Sequence, residues 1–154
     1  MLQIERAVEA DIPALLSLLQ SLFAVEKDFV FDGQRQQRGL QALISALGDR
    51  STLLVARVDG VVAGMASGQL VISTAEGAPS VWIEDVVVAQ DERGKGIGRE
   101  LLNAIVAWAR SQGATRAQLL ADRDNPAALS FYAHYGMDST DLVALRLRDL
   151  DRPE

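Results

Sequence analysis

A glycine-rich loop between an apolar segment and an amphipathic segment constrains this chain more than any other feature of its sequence. The loop reads Arg-Gly-Lys-Gly-Ile-Gly-Arg over residues 93–99. Ile83–Val88 before it is a mostly apolar run typical of a buried strand, and residues 100–108 after it repeat apolar side chains at helical spacing. A glycine-rich turn at a helix N-terminus presents backbone N–H groups and positive potential to an anion. Together with the three basic side chains, this pattern predicts a pyrophosphate site.

The composition excludes several other kinds of site. The chain has 154 residues, enough for one domain whose core needs no disulfide or metal. It has no cysteine and a single histidine, His134, which excludes thiolate and histidine-clustered metal sites and a cysteine nucleophile. The net charge of −6 argues against nucleic acid, whose binding depends on Lys and Arg. We expect a single domain over residues 1–154, with no metal and no nucleic-acid partner.

The sequence also argues against a leader peptide and a membrane span. Charged side chains interrupt any apolar run near the N-terminus, namely Glu5, Arg6, Glu9 and Asp11. No stretch approaches the roughly 20 apolar residues that a membrane-spanning helix needs. The sequence therefore predicts a cytoplasmic protein.

Hydrophobic periodicity and turn residues predict the element order β-α-α-β-β-β-α-β-α-β. The predicted elements are a strand over 2–6, a helix from Asp11 with Pro13 in its first turn, a helix over 34–47 ended by Gly48 and Asp49, a hairpin of strands 52–58 and 61–71 around Asp59-Gly60, a strand over 81–88, a helix from about Ile97 to Gly113, a strand over 116–120, a helix from Pro126 to Tyr135 capped by Gly136, and a closing strand over 141–147. This order predicts an α/β (α+β) fold, in which helices flank a mixed, mostly antiparallel central sheet.

Three phosphate-binding patterns compete for the glycine-rich loop. The P-loop needs four residues between its glycines and then Gly-Lys-Ser/Thr, and no such run occurs in the chain. The dinucleotide fingerprint G-x-G-x-x-G would place its third glycine at position 99, which is an arginine. The third pattern fits, because Arg93-x-x-Gly96-x-Gly98 matches the R/Q-x-x-G-x-G/A signature of the GNAT superfamily of N-acetyltransferases.

The surroundings of the loop resemble the same superfamily. The stretch over residues 82–88 is similar to its central strand, and Asn125 to Gly136, with Phe131-Tyr132 inside, is similar to its Asn…Phe-Tyr…Gly helix. The predicted element order is also that of the family, and the resemblance is specific over residues 81–137. It implies the GNAT acyltransferase fold, acetyl-CoA as the acetyl donor and an amine as the acceptor.

The resemblance also implies which residues bind acetyl-CoA. Its pyrophosphate is expected on the loop, and its pantetheine arm along the strand edge that carries Val86 and Val88. The Val86 N–H is further expected to polarise the thioester carbonyl. Asn125 is expected to bind the pantetheine, and its position equally suits a helix N-cap. The complete expected set is Val86, Val87, Val88, Arg93, Gly94, Lys95, Gly96, Ile97, Gly98, Arg99, Asn125 and Tyr132.

Acetyl transfer to an amine requires a base and an acid. An alkyl ammonium has a pKa of about 10.4 and must lose a proton before it attacks. Alternation along a strand places Glu84 on the face of Trp82 and Val86 unless a bulge intervenes, so we expect Glu84 to be the base. Asp85 is the second candidate, with a structural hydrogen bond as its expected role. Tyr132 falls at the family's position for the acid that protonates the departing thiolate.

The acceptor is the least constrained part of the prediction. The segment over residues 23–32 mixes carboxylates with aromatic rings, which favours a small cationic amine such as a polyamine or an amino sugar. The residues expected to contact the acceptor are Glu26, Phe31, Trp82 and Glu84. A protein or peptide N-terminus is an alternative acceptor, and a non-catalytic acyl-CoA-binding regulatory module is an alternative function. Two expectations stay open, a homodimer and the length of the acyl chain.

Overall fold

Within the residues that the structure describes, apolar runs separated by turn residues form five strands of one sheet. They are β1 (Leu2–Arg6), β2 (Ser51–Val58), β3 (Val61–Ser73), β4 (Ala78–Val88) and β5 (Arg116–Leu119), which lie side by side in chain order. The pairs from β1 to β4 are antiparallel, and β4 pairs with β5 in parallel. This confirms the predicted mixed, mostly antiparallel sheet. The computed structural model describes residues 1–46 and 50–151, and the chain divides after Leu119 into two compact units.

The first unit also contains three of the predicted helices. They are α1 (Ile12–Val25), α2 (Gly33–Ser45) and α3 (Ile97–Ser111). Pro13 lies in the first turn of α1, and the Asp32 side chain caps α2 by accepting the Arg35 N–H at 3.3 Å. The predicted end of α2, at Leu47 with Gly48 and Asp49, lies outside the described residues. In the described part of the chain, no helix is long and apolar enough to cross a membrane.

Different helices cover the two faces of the sheet. On one face α3 packs closely against β3. A Cβ atom added to Gly68 of β3 would lie 3.2 Å from Cγ2 of Ile105 in α3 and 3.1 Å from Cγ2 of Val81 in β4. On the other face, α1 and α2 bury an apolar cluster that includes Leu15, Met65 and Val87. The sheet is therefore the middle layer of the unit, and β4 contributes side chains to both faces.

In its described residues, 120–151, the second unit contains one helix and an irregular segment after it. The helix, α4 (Pro126–Tyr135), begins and ends as predicted, with Asn125 as N-cap and Gly136 as C-cap. The predicted closing strand over 141–147 is wrong, since none of these residues lies in a strand. Alternating hydrophobicity shows which side chains would share a face, but a strand also needs a neighbour to pair with its N–H and C=O groups.

Candidate active site

A β-bulge in β4 lies at the centre of the candidate site. The register between β3 and β4 shifts between Met65 and Ser67, so that β4 carries one extra residue opposite this point. Asp85, at the bulge, has a φ of 56°, a left-handed conformation that Asp adopts more readily than most residues. The Ser67 hydroxyl donates a hydrogen bond of 3.1 Å to the Glu84 carbonyl oxygen. The bulge is therefore held by a partly buried hydrogen bond as well as by the sheet.

The bulge changes which face of the sheet the later residues of β4 occupy. Val81 packs on the face covered by α3, whereas Val87 lies in the cluster under α1 and α2. In an unbroken strand these two residues, six positions apart, would share a face. The predicted grouping of Glu84 with Val86 on one face is therefore wrong, because it assumed an unbroken strand.

Asp85 is the half-buried member of a group of three carboxylates. Burial raises the pKa of Asp85 to about 6, and the negative charges of Glu84 and Glu26 act in the same direction. Glu26 is the C-cap of α1, so a second element brings its charge to the bulge. A carboxylate with this pKa can accept and release a proton close to neutral pH. This property distinguishes Asp85 from an ordinary surface carboxylate.

Trp82 orients the exposed carboxylate of Glu84. The Trp82 Nε1–H donates a hydrogen bond of 3.0 Å to Glu84 Oε1. The two residues are separated by one position before the bulge, which places their side chains on the same face. Trp82, Glu84, Asp85 and Glu26 are thus brought together. Phe31 is half-buried in the loop between α1 and α2. The ring of Phe29, in the same loop, packs 5.4 Å from the ring of Phe23 in α1.

Beside the bulge, β4 and β5 separate. Their pairing covers Ser80 to Ile83 on β4, and in the described ranges residues 84–88 have no strand partner on that side. The edge left open includes Val86 and Val88, where the resemblance places the pantetheine arm. Val87 is buried in the apolar cluster, so its side chain serves packing. The open edge and the bulge coincide, which puts backbone hydrogen-bonding groups next to the three carboxylates.

The glycine-rich loop connects β4 to α3 in the conformation that an anion site needs. Gly94 and Gly96 have φ values of 76° and 85°, which favour glycine. Gly96 is the N-cap of α3, and its carbonyl oxygen accepts the Glu100 N–H at 3.1 Å. The N–H groups of the first turn of α3, before that of Glu100, have no acceptor within the helix. They point out of its N-terminus, which is the positive end of the helix dipole. The loop therefore has the backbone geometry of an anion-binding helix N-terminus.

Basic side chains of the loop make local contacts. The Arg93 Nε–H donates a hydrogen bond of 3.0 Å to the Val88 carbonyl oxygen, which connects the loop to the end of β4. Lys95 Nζ lies 3.0 Å from Glu92 Oε2 in an exposed ion pair. Exposed ion pairs of this kind contribute about 0–1 kcal/mol to stability, so a phosphate group can compete with Glu92 for the Lys95 ammonium. Arg99 is exposed in the first turn of α3.

The second unit carries the remaining predicted site residues. Asn125 Oδ1 accepts the Ala128 N–H at 3.1 Å, which confirms the N-cap interpretation. Tyr132 is half-buried, and its ring lies 5.2 Å from that of Phe131 in an edge-on arrangement. His134 is exposed and its Nδ1 lies 2.7 Å from the Ser130 carbonyl oxygen. The roles of Asn125 and Tyr132 towards acetyl-CoA stay predictions.

Comparison with known proteins identifies the family of this chain. The family model described as acetyltransferase (GNAT) family matches residues 14–137. The chain belongs to the GNAT family. A curated relative of this GNAT chain, L-2,4-diaminobutyric acid acetyltransferase from Nocardia farcinica, is 32% identical over 82 residues, which are 53% of this chain and 41% of the relative. The curated relatives are matched over less than half of their own length, 17% to 44%.

Solved structures have the same GNAT architecture. Glucosamine-6-phosphate N-acetyltransferase from Arabidopsis thaliana has a TM-score of 0.76 at 21% identity, with 97% of this chain and 99% of that chain covered. AAC(6')-Iy, in complex with the bisubstrate analogue CoA-S-monomethyl-acetylneamine, has a TM-score of 0.79 at 17% identity, with 96% and 98% covered. At these identities the likeness shows the fold alone.

Proposed function

We propose that this GNAT protein transfers the acetyl group of acetyl-CoA to a primary amine of a small cationic molecule, by direct attack of the amine. The observation that carries the proposal is the bulge, which brings the Asp85 carboxyl, with its pKa of about 6, to the carboxylates of Glu84 and Glu26. Three carboxylates favour an acceptor with more than one cationic group. The relative from Nocardia farcinica is, by its name, an acetyltransferase for a diamino acid, which supports this class of acceptor.

Asp85 is our candidate for the base. The acceptor ammonium must lose a proton before its nitrogen can attack, and a base is most effective when its pKa is near the working pH. Burial brings the pKa of Asp85 towards that range. Glu84, exposed and oriented by Trp82, then holds the cationic acceptor by charge. This assignment exchanges the roles that strand alternation suggested for the two residues.

The remaining roles are assigned to the loop, the strand edge and α4. The α3 N-terminus, with Lys95 and Arg99, binds the pyrophosphate of acetyl-CoA. The Val86 N–H donates to the thioester carbonyl oxygen as the amine nitrogen bonds to the carbonyl carbon and the carbon–sulfur bond breaks. The Tyr132 hydroxyl gives a proton to the departing sulfur. Asp85 keeps the first proton taken from the ammonium until solvent accepts it. The second proton, which the nitrogen loses as the amide forms, restores the Tyr132 hydroxyl.

Release of free thiol from acetyl-CoA tests the proposal across a panel of amines. The panel contains diamines and polyamines, amino sugars, amino acids and short peptides, with a monoamine of similar length as the matched control for each diamine. We expect turnover with small amines, and higher kcat/KM for a diamine than for its monoamine. Turnover confined to peptides would favour an N-terminal acetyltransferase. Calorimetric binding of acetyl-CoA without turnover on any amine would favour a regulatory module.

Tyr132→Phe is expected to lower kcat by roughly 10²–10⁴-fold, because the departing thiolate loses its proton donor. The affinity for acetyl-CoA, measured by calorimetry, should stay unchanged. Tyr135→Phe on the same helix is the matched control, and its kcat should stay within about twofold of the unsubstituted protein. Equal rates for both variants would assign Tyr132 to packing and leave the acid unidentified.

A further inference from the structure

A hydroxyl group is buried among the apolar side chains of β3. Ser67 is only 1% exposed, and its neighbours Met65 and Ala66 are fully buried. Burying a hydroxyl costs free energy unless it has a hydrogen-bond partner, so alanine would suit packing alone at this position. The partner is the Glu84 carbonyl oxygen on β4, at 3.1 Å. The serine therefore makes a contact to the next strand that an apolar side chain of similar size could not make.

This contact lies immediately before the bulge. Ser67 pairs with Glu84, and before the next paired position β3 has one residue whereas β4 has two, Asp85 and Val86. The Glu84 carbonyl belongs to the planar peptide group that contains the Asp85 nitrogen, so a bond to the oxygen fixes the orientation of that whole group. The left-handed conformation of Asp85, with its φ of 56°, then determines the direction of the following peptide group, which carries the Val86 N–H.

We propose that Ser67 is a positioning residue for acetyl transfer, which holds the Asp85 carboxyl and the Val86 N–H in their working positions through the Glu84 carbonyl. This role rests on the proposed function, in which Asp85 is the base and the Val86 N–H donates to the thioester carbonyl oxygen. A residue other than glycine adopts a left-handed conformation at a cost, and the conformation persists only where its surroundings fix it. The Ser67 hydroxyl is one of the groups that fix it.

Binding of the acceptor should not depend on Ser67. The Glu84 side chain, which we expect to hold the cationic acceptor, is oriented by the Trp82 Nε1–H at 3.0 Å. Trp82 and Glu84 both precede the bulge, in the part of β4 that pairs regularly with β3. Loss of the Ser67 hydroxyl should therefore slow the chemical step and leave KM for the acceptor nearly unchanged.

Ser67→Ala is expected to lower kcat by roughly 10–100-fold and to leave KM for a diamine within about threefold, because a small misplacement of the reacting groups is costly. Ser80→Ala is the matched control. Ser80 is also 1% exposed, and its hydroxyl oxygen accepts the Arg116 Nε–H at 3.3 Å, away from the bulge. Its kcat, per folded protein, should stay within about twofold of the unsubstituted protein. An unchanged kcat in Ser67→Ala, or an equal fall in both variants, would overturn the proposal.

Ser67→Cys applies the same test if the alanine variant does not fold. The thiol is close to the hydroxyl in size but is a weak hydrogen-bond donor. We expect a folded protein by far-UV circular dichroism, with a kcat below that of the unsubstituted protein and an unchanged KM for the diamine. A cysteine variant with the kcat of the unsubstituted protein would overturn the role of the hydrogen bond.

Titration of the Asp85 carboxyl in the protein alone separates this role from the proposed function. Carbon-13 NMR of a protein labelled at its aspartate carboxyls follows the titration, and the signal missing from Asp85→Asn identifies Asp85. Burial raises the pKa of Asp85 to about 6, and the charges of Glu84 and Glu26 act in the same direction. A loosened bulge exposes the carboxyl, so its titration midpoint should move to lower pH in Ser67→Ala and stay in place in Ser80→Ala. No turnover of any amine by the unsubstituted protein would refute the proposed function, whereas an unchanged midpoint in folded Ser67→Ala would refute the positioning role.

Discussion

Asp85→Asn is expected to lower kcat by roughly 10²–10⁴-fold and, at the same time, to make the folded protein more stable at neutral pH. Asparagine has nearly the same size as aspartate and also adopts the left-handed conformation that the bulge requires. It cannot accept a proton, so the acceptor amine loses its base. The rate of thiol release from acetyl-CoA at saturating amine measures the fall in kcat. Chemical unfolding measures the rise in the free energy of unfolding.

The gain in stability follows from the direction of the pKa shift. The pKa of Asp85 is about 6 in the folded protein, whereas an unfolded aspartate has a pKa of about 3.9. Between these values the folded state holds a proton that the unfolded chain releases, so stability falls as the pH rises from about 4 through 6. We expect the variant to be more stable by about 1–3 kcal/mol at pH 8, and to differ little from the unsubstituted protein at pH 3.5.

Glu84→Gln is the matched control for the base. Its carboxylate is exposed and oriented by Trp82, so its loss should raise KM for a diamine more than it lowers kcat. The pH profile of kcat/KM separates the two residues further. The limb near pH 6 should persist in Glu84→Gln, displaced to lower pH because the Glu84 charge helps to raise the pKa of Asp85, and should vanish in Asp85→Asn. A larger fall in kcat for Glu84→Gln than for Asp85→Asn would return the role of base to Glu84.

Most of the fold could be predicted because local patterns decide it. The Asp59-Gly60 hairpin, the loop after β4 and the helix that begins near Ile97 all follow from residues adjacent in sequence. The bulge could not be predicted in this way. Its position depends on how Ser67, on another strand, pairs with β4. One of the two carboxylates that help to raise the pKa of Asp85 is Glu26, which lies distant in sequence at the C-cap of α1. The clustering of Glu84 and Asp85 near the glycine-rich loop could therefore be predicted from the sequence, whereas the bulge that gives the two carboxyl groups different surroundings could not.

The prediction of a closing strand over residues 141–147 was wrong for a related reason. The alternation of Val143, Leu145 and Leu147 is a property of the segment, whereas pairing depends on a partner strand that no local pattern supplies. The pattern therefore shows which side chains would share one side of an extended segment, and it does not show that the strand forms.

Gly98→Glu is expected to abolish acetyl-CoA binding while leaving the fold intact. Gly98 is the second residue of α3, next to the N-terminus at which we assign the pyrophosphate. A carboxylate in the first turn of a helix is favourable by about 0.3–1 kcal/mol, so the helix should tolerate it. The same carboxylate occupies the position of the anion and repels it, and we expect calorimetry to show a dissociation constant at least about 100-fold higher.

Gly98→Gln separates the charge of the new side chain from its bulk. Glutamine is about as large as glutamate but neutral, so it should retain a measurable part of the affinity if repulsion dominates, and none if steric block does. Far-UV circular dichroism and the unfolding midpoint establish that both variants fold. A folded Gly98→Glu variant that still binds acetyl-CoA with micromolar affinity would show that the pyrophosphate does not lie at the N-terminus of α3.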